Sequence, residues 1–161
     1  MVFISVGTQK FPFDRLLEAV DRCIAEGVIK DEVFAQTGNC RYEPLYYKCS
    51  RFLDQVEYKE LMKRSDLVIT HAGTGAIIGA VKDHKKVIAV PRYAKYGEHI
   101  DNHQTQVLSA FEEMGYIEAC YHTEELEKAI EATRKKSYRV YKSNTDRFVA
   151  DVKNSIEELL P

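Results

Sequence analysis

The stretch of this chain best suited to chemistry is His71-Ala72-Gly73-Thr74-Gly75. It follows the apolar run Leu67-Val68-Ile69-Thr70 and opens a segment with helical spacing. Glycines at a strand-to-helix turn let a ligand approach the backbone closely. The helix start offers unpaired N–H groups and the positive end of a dipole. A phosphate or diphosphate suits such a place, with the Thr74 hydroxyl and a hydrogen bond from His71 in support. Gly7-Thr8-Gln9 repeats the pattern after Phe3-Ile4-Ser5-Val6, and Gln36-Thr37-Gly38-Asn39 closes another short apolar run. A further cluster, Gly97-Glu98-His99-Ile100-Asp101-Asn102-His103-Gln104, gathers polar groups able to read sugar hydroxyls. Each has a plainer alternative: a tight turn that binds nothing, a structural histidine at 71, and capping by Glu98 or Asp101.

Other chemistries fit less well. His99 and His103 share an i, i+4 spacing, but the zinc-protease pattern needs Glu after the first histidine, where Ile100 stands. No metal site is expected. Gly73, Gly75 and Gly79 imitate a dinucleotide fingerprint, yet the next strand ends Pro91-Arg92-Tyr93, without the acidic residue that would hold a ribose. An NAD(P)-dependent enzyme is therefore the weaker alternative. No nucleophile elbow or phosphate-loop lysine motif is present. Cys23, Cys40, Cys49 and Cys120 form no C-x-x-C pair and read as thiols in a reducing compartment.

Short β-branched runs alternate with helical patterns, which predicts β-α-β units and a parallel sheet. Strands are expected over residues 2–6, 32–37, 46–53, 66–72, 86–91 and 116–121. Residues 67–70 run without polar alternation, as a strand covered on both faces should. Helices are expected over residues 13–24, 58–64, 74–84 and 99–114, the last with Ile100, Val107, Phe111 and Met114 near one face and Gly115 as its C-terminal stop. A surface helix follows over 124–135. A final helix over 144–160 packs on its own domain or docks a partner. The expected fold is a Rossmann-like α/β domain, a parallel sheet flanked by helices. In such sheets ligands sit at the carboxyl ends of the strands, where all four polar clusters fall.

The chain has 161 residues, enough for one domain, and 45% are hydrophobic, enough for a core. Lys and Arg number 23 against 25 Asp and Glu, a balance that argues against nucleic-acid binding driven by bulk charge. No apolar run approaches the ~20 residues that span a bilayer, and no signal peptide is evident. The domain is expected to be soluble and cytoplasmic.

Phe3-Ile4-Ser5-Val6-Gly7-Thr8-Gln9, Phe11-Pro12-Phe13-Asp14-Arg15-Leu16, His71-Ala72-Gly73-Thr74-Gly75, Val90-Pro91-Arg92 and Gly97-Glu98-His99 through Gln104, in that order, resemble the C-terminal domain of family 28 glycosyltransferases. The resemblance covers residues 2–120 and is nearest to the stand-alone form. That form includes the catalytic subunit of the dolichol-linked N-acetylglucosamine transferase and bacterial counterparts in capsule and exopolysaccharide synthesis. It implies half of a GT-B enzyme split over two chains, inverting, without a metal or other cofactor. The donor would be a UDP-sugar carrying a hexose or N-acetylhexosamine, and the acceptor a lipid-pyrophosphate-linked sugar. A membrane-anchored subunit would supply the acceptor domain and bring this chain to the cytoplasmic face of the membrane. Alone, the chain could pair with itself through the same docking face.

Carried over by position, Gly7 and Thr8 face the diphosphate or sugar, and His71, Gly73, Thr74 and Gly75 hold the phosphates. Glu98, Asn102 and Gln104 face the donor sugar, and Phe52 and Leu53 lie in the segment whose backbone meets uracil. The family's acidic ribose contact is replaced by Gly79. The catalytic base is expected from the partner, with His71 the candidate on this chain. A non-catalytic nucleotide-binding module is the other alternative.

Overall fold

A computed structural model describes residues 1–142 of the chain. Six strands form one sheet: β1 (Val2–Ser5), β2 (Val33–Gln36), β3 (Lys48–Ser50), β4 (Leu67–His71), β5 (Lys86–Val90) and β6 (Glu118–Ala119). Their spatial order is β3-β2-β1-β4-β5-β6, and every pairing is parallel. The helices are α1 (Asp14–Ala25), α2 (Gln55–Arg64), α3 (Thr74–Lys82), α4 (His103–Glu113) and α5 (Leu126–Lys135). This is the expected parallel sheet flanked by helices.

Successive residues of a strand point to opposite faces, and here both faces are covered. Val2, Ile4 and Val6 pack with Leu16, Leu17 and Val20 of α1 and Leu126 and Ile130 of α5. Phe3, Val68, Val87 and Ala89 pack on the other side with Met62 of α2, Ile77 and Val81 of α3, and Leu108 and Phe111 of α4. That double burial explains why β1, β4 and β5 read as continuous apolar runs.

The structure corrects several boundaries. The third strand keeps only three residues of the expected eight, because the chain before it is folded by Asp21 rather than by the sheet. That carboxylate, 3% exposed, accepts hydrogen bonds from Tyr42 Oη (2.8 Å) and from the backbone N–H of Leu45 (2.7 Å) and Tyr46 (3.1 Å). Helix α2 starts earlier than expected, at Gln55. Asp54 and Glu57 form a reciprocal capping box there. Helix α4 starts four residues later than expected. Asp101 accepts from His103 N at 2.9 Å, and Asn102 O accepts from Thr105 N at 3.0 Å, which sets its first turn. Ile100 and Met114 thus fall off the buried stripe and are exposed. Helix α5 is no mere surface helix, since Leu126, Ala129, Ile130 and Thr133 are buried. Gly115, at φ +74°, follows the end of α4 as expected. The helix expected over 144–160 lies outside the described residues.

Candidate glycosyl-nucleotide site

The strand order turns around between β1 and β4, whose connections leave to opposite sides. This is where open α/β sheets leave a crevice at their carboxyl ends. A cleft of about 470 Å³ opens there. Its floor is the rim of the sheet: Ser5 and Gly7 after β1, Gln36 at the end of β2, and His71 at the end of β4. Leu53, Asp54, Gln55, Tyr58 and Lys59 of the α2 start form one wall, and Gly75 and Ala76 of α3 the other. Thr8 completes the lining.

His71 organises the floor. Its Nδ1 lies 3.4 Å from Ser5 O and 3.4 Å from Thr70 Oγ1. The ring occupies space that only glycines leave free. A Cβ on Gly7 would come within 2.7 Å of His71 Cε1, and one on Gly73 would lie 2.8 Å from Cδ2 and closer still to Nε2. Gly7 also holds φ at +80°, a conformation side chains disfavour. Burial and, next, the guanidinium of Arg92 pull the imidazole down to about 4 from its ordinary 6.5, while the hydrogen bond to Ser5 O opposes them. His71 is therefore neutral at pH 7. With Nδ1–H directed at Ser5 O, Nε2 is an acceptor. Donation from Nε2 to an anion requires the other tautomer or a proton taken up on binding.

Gly73 caps α3 at φ −89°, ψ 128°, without a side-chain hydrogen bond. The first helical bond runs from Ile77 N to Gly73 O at 3.1 Å. The N–H groups of the first turn, from Thr74 to Ala76, therefore precede the helical ladder and carry the positive end of its dipole. A Cβ built on Gly75 meets nothing within 4 Å. The approach to these groups is open on the cleft side.

The structure brings Gly7, Thr8, Leu53, His71 and Gly75 to one cleft, with Gly73 beneath the His71 ring and Thr74 in the first turn of α3. Phe52 is half exposed beside it, with its carbonyl accepting from Ser50 Oγ at 2.9 Å. Glu98, Asn102 and Gln104 are not in this lining, because Glu98 and Asn102 build the loop that follows β5 and Gln104, in the first turn of α4, holds that loop. Glu98, 4% exposed, pairs with Arg15 through both oxygens (2.7 and 3.0 Å) and accepts from Tyr93 N at 3.0 Å. It borders a separate depression of about 440 Å³ with Tyr96 and His122. Gln104 Oε1 accepts from Arg92 N at 3.0 Å, and Asn102 Oδ1 from Ala94 N at 3.1 Å.

His99 and His103 do not share a helix face. His99 precedes α4 and meets Asp101 at 3.0 Å. Among the described residues no three His, Cys, Asp or Glu side chains are grouped to hold a metal. Sequence reasoning missed Tyr58 and Lys59 as cleft residues and gave Gln36 only as part of a polar strand end. The strand end at Gln36 was visible. The α2 contacts had one signal, the Asp54-Gln55-Val56-Glu57 capping box that moves the helix start into the cleft.

A parallel α/β sheet with an open, glycine-lined helix start at its switch point defines a Rossmann-like domain with a candidate ligand site at its strand ends. The chain belongs to glycosyltransferase family 28, whose C-terminal domain matches residues 1–159. Its relatives include the UDP-N-acetylglucosamine transferase subunit ALG13 of Saccharomyces cerevisiae. That protein is 42% identical over 60 residues, which are 37% of this chain and 28% of the relative. The Candida glabrata protein of the same name is 41% identical over 52 residues, 32% of this chain and 24% of the relative. The matched segments thus span about a quarter of those relatives' length. Among solved structures, the calicheamicin glycosyltransferase CalG4 superposes with a TM-score of 0.64 at 16% identity, over 99% of this chain and 44% of that one. The solution structure of ALG13 gives 0.57 at 19% identity, over 88% and 89%. These likenesses establish the fold.

Proposed function

We propose that this chain is the UDP-sugar-binding, catalytic subunit of a two-component inverting glycosyltransferase. The observation that carries this reading is the open start of α3 facing a 470 Å³ cleft at the strand ends, in a family 28 domain. The diphosphate would lie on the N–H groups of Thr74, Gly75 and Ala76. The uracil would sit against Leu53 and Tyr58, with Lys59 the cation of the wall.

Those N–H groups are fixed before reaction begins, so they would stabilise negative charge as it develops on the departing UDP. No metal ion or other cofactor is invoked. His71, held neutral, would accept a hydrogen bond from a sugar hydroxyl or take up a proton as the diphosphate binds. The base that activates the acceptor is assigned to the partner.

N-acetylglucosamine is the favoured sugar, from the names of the relatives, and other hexoses remain outcomes of the assay. The acceptor is proposed to be a lipid-pyrophosphate-linked sugar in glycan or exopolysaccharide precursor synthesis. No helix of the described residues is long and apolar enough to cross a membrane. A membrane-anchored acceptor subunit would recruit the chain to the cytoplasmic face.

Calorimetric titration with UDP, UDP-sugars and NADPH, with and without a divalent cation, tests the site. Metal-independent UDP binding is expected. Preference for NADPH would overturn the reading. UDP binding without transfer, after a partner is supplied, would leave a nucleotide-binding module.

A further inference from the structure

Arg92 was given no role by the sequence, yet it is the largest fully buried side chain among the described residues, at 1% exposure. Its guanidinium donates to three backbone carbonyls: Phe11 O (2.9 Å), Glu98 O (3.4 Å) and Val6 O. Two of these belong to the loop after β1 and one to the loop after β5. Its Nε is the one buried side-chain polar atom without a hydrogen-bond partner among the described residues.

Among the described residues no carboxylate is hydrogen-bonded to it. The carboxylate of Glu98 is occupied by Arg15. Two arginines therefore share one acid, and a net positive charge is left beneath the strand ends. Arg92 and His71 are anchored on adjacent residues of β1 and its continuation: His71 and Thr70 on Ser5 O, Arg92 on Val6 O, with the His71 ring against Gly7.

A buried charge with only a shared counter-ion is costly to keep. Carbonyls accept from its two Nη atoms, leave Nε unpaired and do not neutralise it. We infer that Arg92 is a positioning residue whose buried charge, anchored on Val6 O beside the Ser5 O anchor of His71, draws the anionic ligand to the β1/β4 cleft. The inference deepens the proposed function, because the anion it serves is the nucleotide diphosphate. The groups that bear on the imidazole are Arg92 from the β5 loop, His99 from the segment before α4, and the dipoles of Ser5 and Thr70. Burial contributes most, with Arg92 next.

Two variants separate charge from hydrogen bonding. Arg92→Lys keeps the charge with fewer donors. Arg92→Gln removes the charge and keeps two amide donors for the carbonyls, against three on Lys. The titration of His71 is followed by NMR in the ligand-free chain, and binding of inorganic diphosphate and UDP by calorimetry. Arg92→Lys is expected to leave the His71 midpoint at the wild-type value and anion affinity within about threefold. Arg92→Gln is expected to raise the midpoint by about half a unit to one unit, the scale of a nearby like charge, and to weaken diphosphate about tenfold.

A purely structural clamp predicts that both variants loosen the loops and shift His71 alike. That outcome overturns the inference, as does an unmoved midpoint in Arg92→Gln. If Arg92→Gln does not fold, Arg92→Lys alone decides: a raised midpoint overturns the inference and a wild-type midpoint supports it. Failure of UDP binding in the wild-type chain would sink the functional reading, while the ligand-free titration would still judge Arg92.

Discussion

Gly75→Val separates folding from binding. Gly75 lies in the first turn of α3, and an added Cβ meets nothing within 4 Å. Its φ falls outside the left-handed region, so a side chain is tolerated by the backbone. Replacing a helical glycine whose conformation suits other residues gains about 0.4–1 kcal/mol, chiefly by restricting the unfolded chain. Valine recovers less of this than alanine because its branched side chain loses rotamer freedom in a helix. Gly75→Ala should therefore unfold up to about 4 °C higher than wild type, on the scale of 2–4 °C per kcal/mol for a chain of this size. Gly75→Val should lie within about 2 °C of wild type. Both side chains project into the approach to the Thr74–Ala76 N–H groups. Valine should cost at least tenfold in UDP affinity, or about 1.4 kcal/mol, and alanine less. Thermal unfolding and calorimetry on the same preparations read both effects. UDP binding by Gly75→Val at wild-type strength would refute the phosphate assignment. A large loss of stability in Gly75→Ala would refute the openness of the cradle.

Other perturbations test the frame around it. Gly73→Ala drives a methyl into the His71 ring and should cost about 1–3 kcal/mol, as overpacking does. His71→Ala should restore part of that loss in the double mutant, as measured by urea unfolding. His71 titrates near 4 folded and near 6.5 when exposed. The unfolded chain therefore binds the extra proton between those values, and stability present above pH 6.5 is lost as pH falls toward 4. The loss is about 3 kcal/mol at most, and His71→Asn should flatten this part of the pH profile. Asp21→Ala removes three hydrogen bonds from a buried carboxylate and should cost about 2–4 kcal/mol, seen in thermal unfolding. Asp54→Ala should cost about 1 kcal/mol through its lost cap and weaken UDP several-fold as the α2 wall frays.

The alternation of apolar runs and helical stripes was enough to read the β-α organisation, because continuous burial on both faces leaves its mark residue by residue in β1, β4 and β5. The glycine-rich turn at 73–75 was legible for the same local reason: strand, turn and helix are contiguous. Partnerships across the fold were not. Glu98 reads as a polar group at a helix start, and its engagement by Arg15, 83 residues away, turns it into framework. Gln104 is likewise taken up by Arg92 N. Tyr58 and Lys59 read only as the start of a short helix, and the fold makes that start a wall of the cleft. Arg92 drew no role from the sequence and is fully buried, since two backbone carbonyls from the loop after β1, more than eighty residues away, and one from its own loop converge on it.

The two margins of the sheet are stubs. β3 pairs over three residues and begins with a lysine, and β6 pairs over two. A long flat margin would offer a ladder of unmet N–H and C=O groups to any extended chain, and with it a path to strand-by-strand aggregation. These margins offer almost none. When such a domain meets another protein, the contact falls to helices, loops and side chains rather than to backbone addition, so recognition depends on surface shape and charge. Short margins of this kind leave little backbone for strand-by-strand self-association.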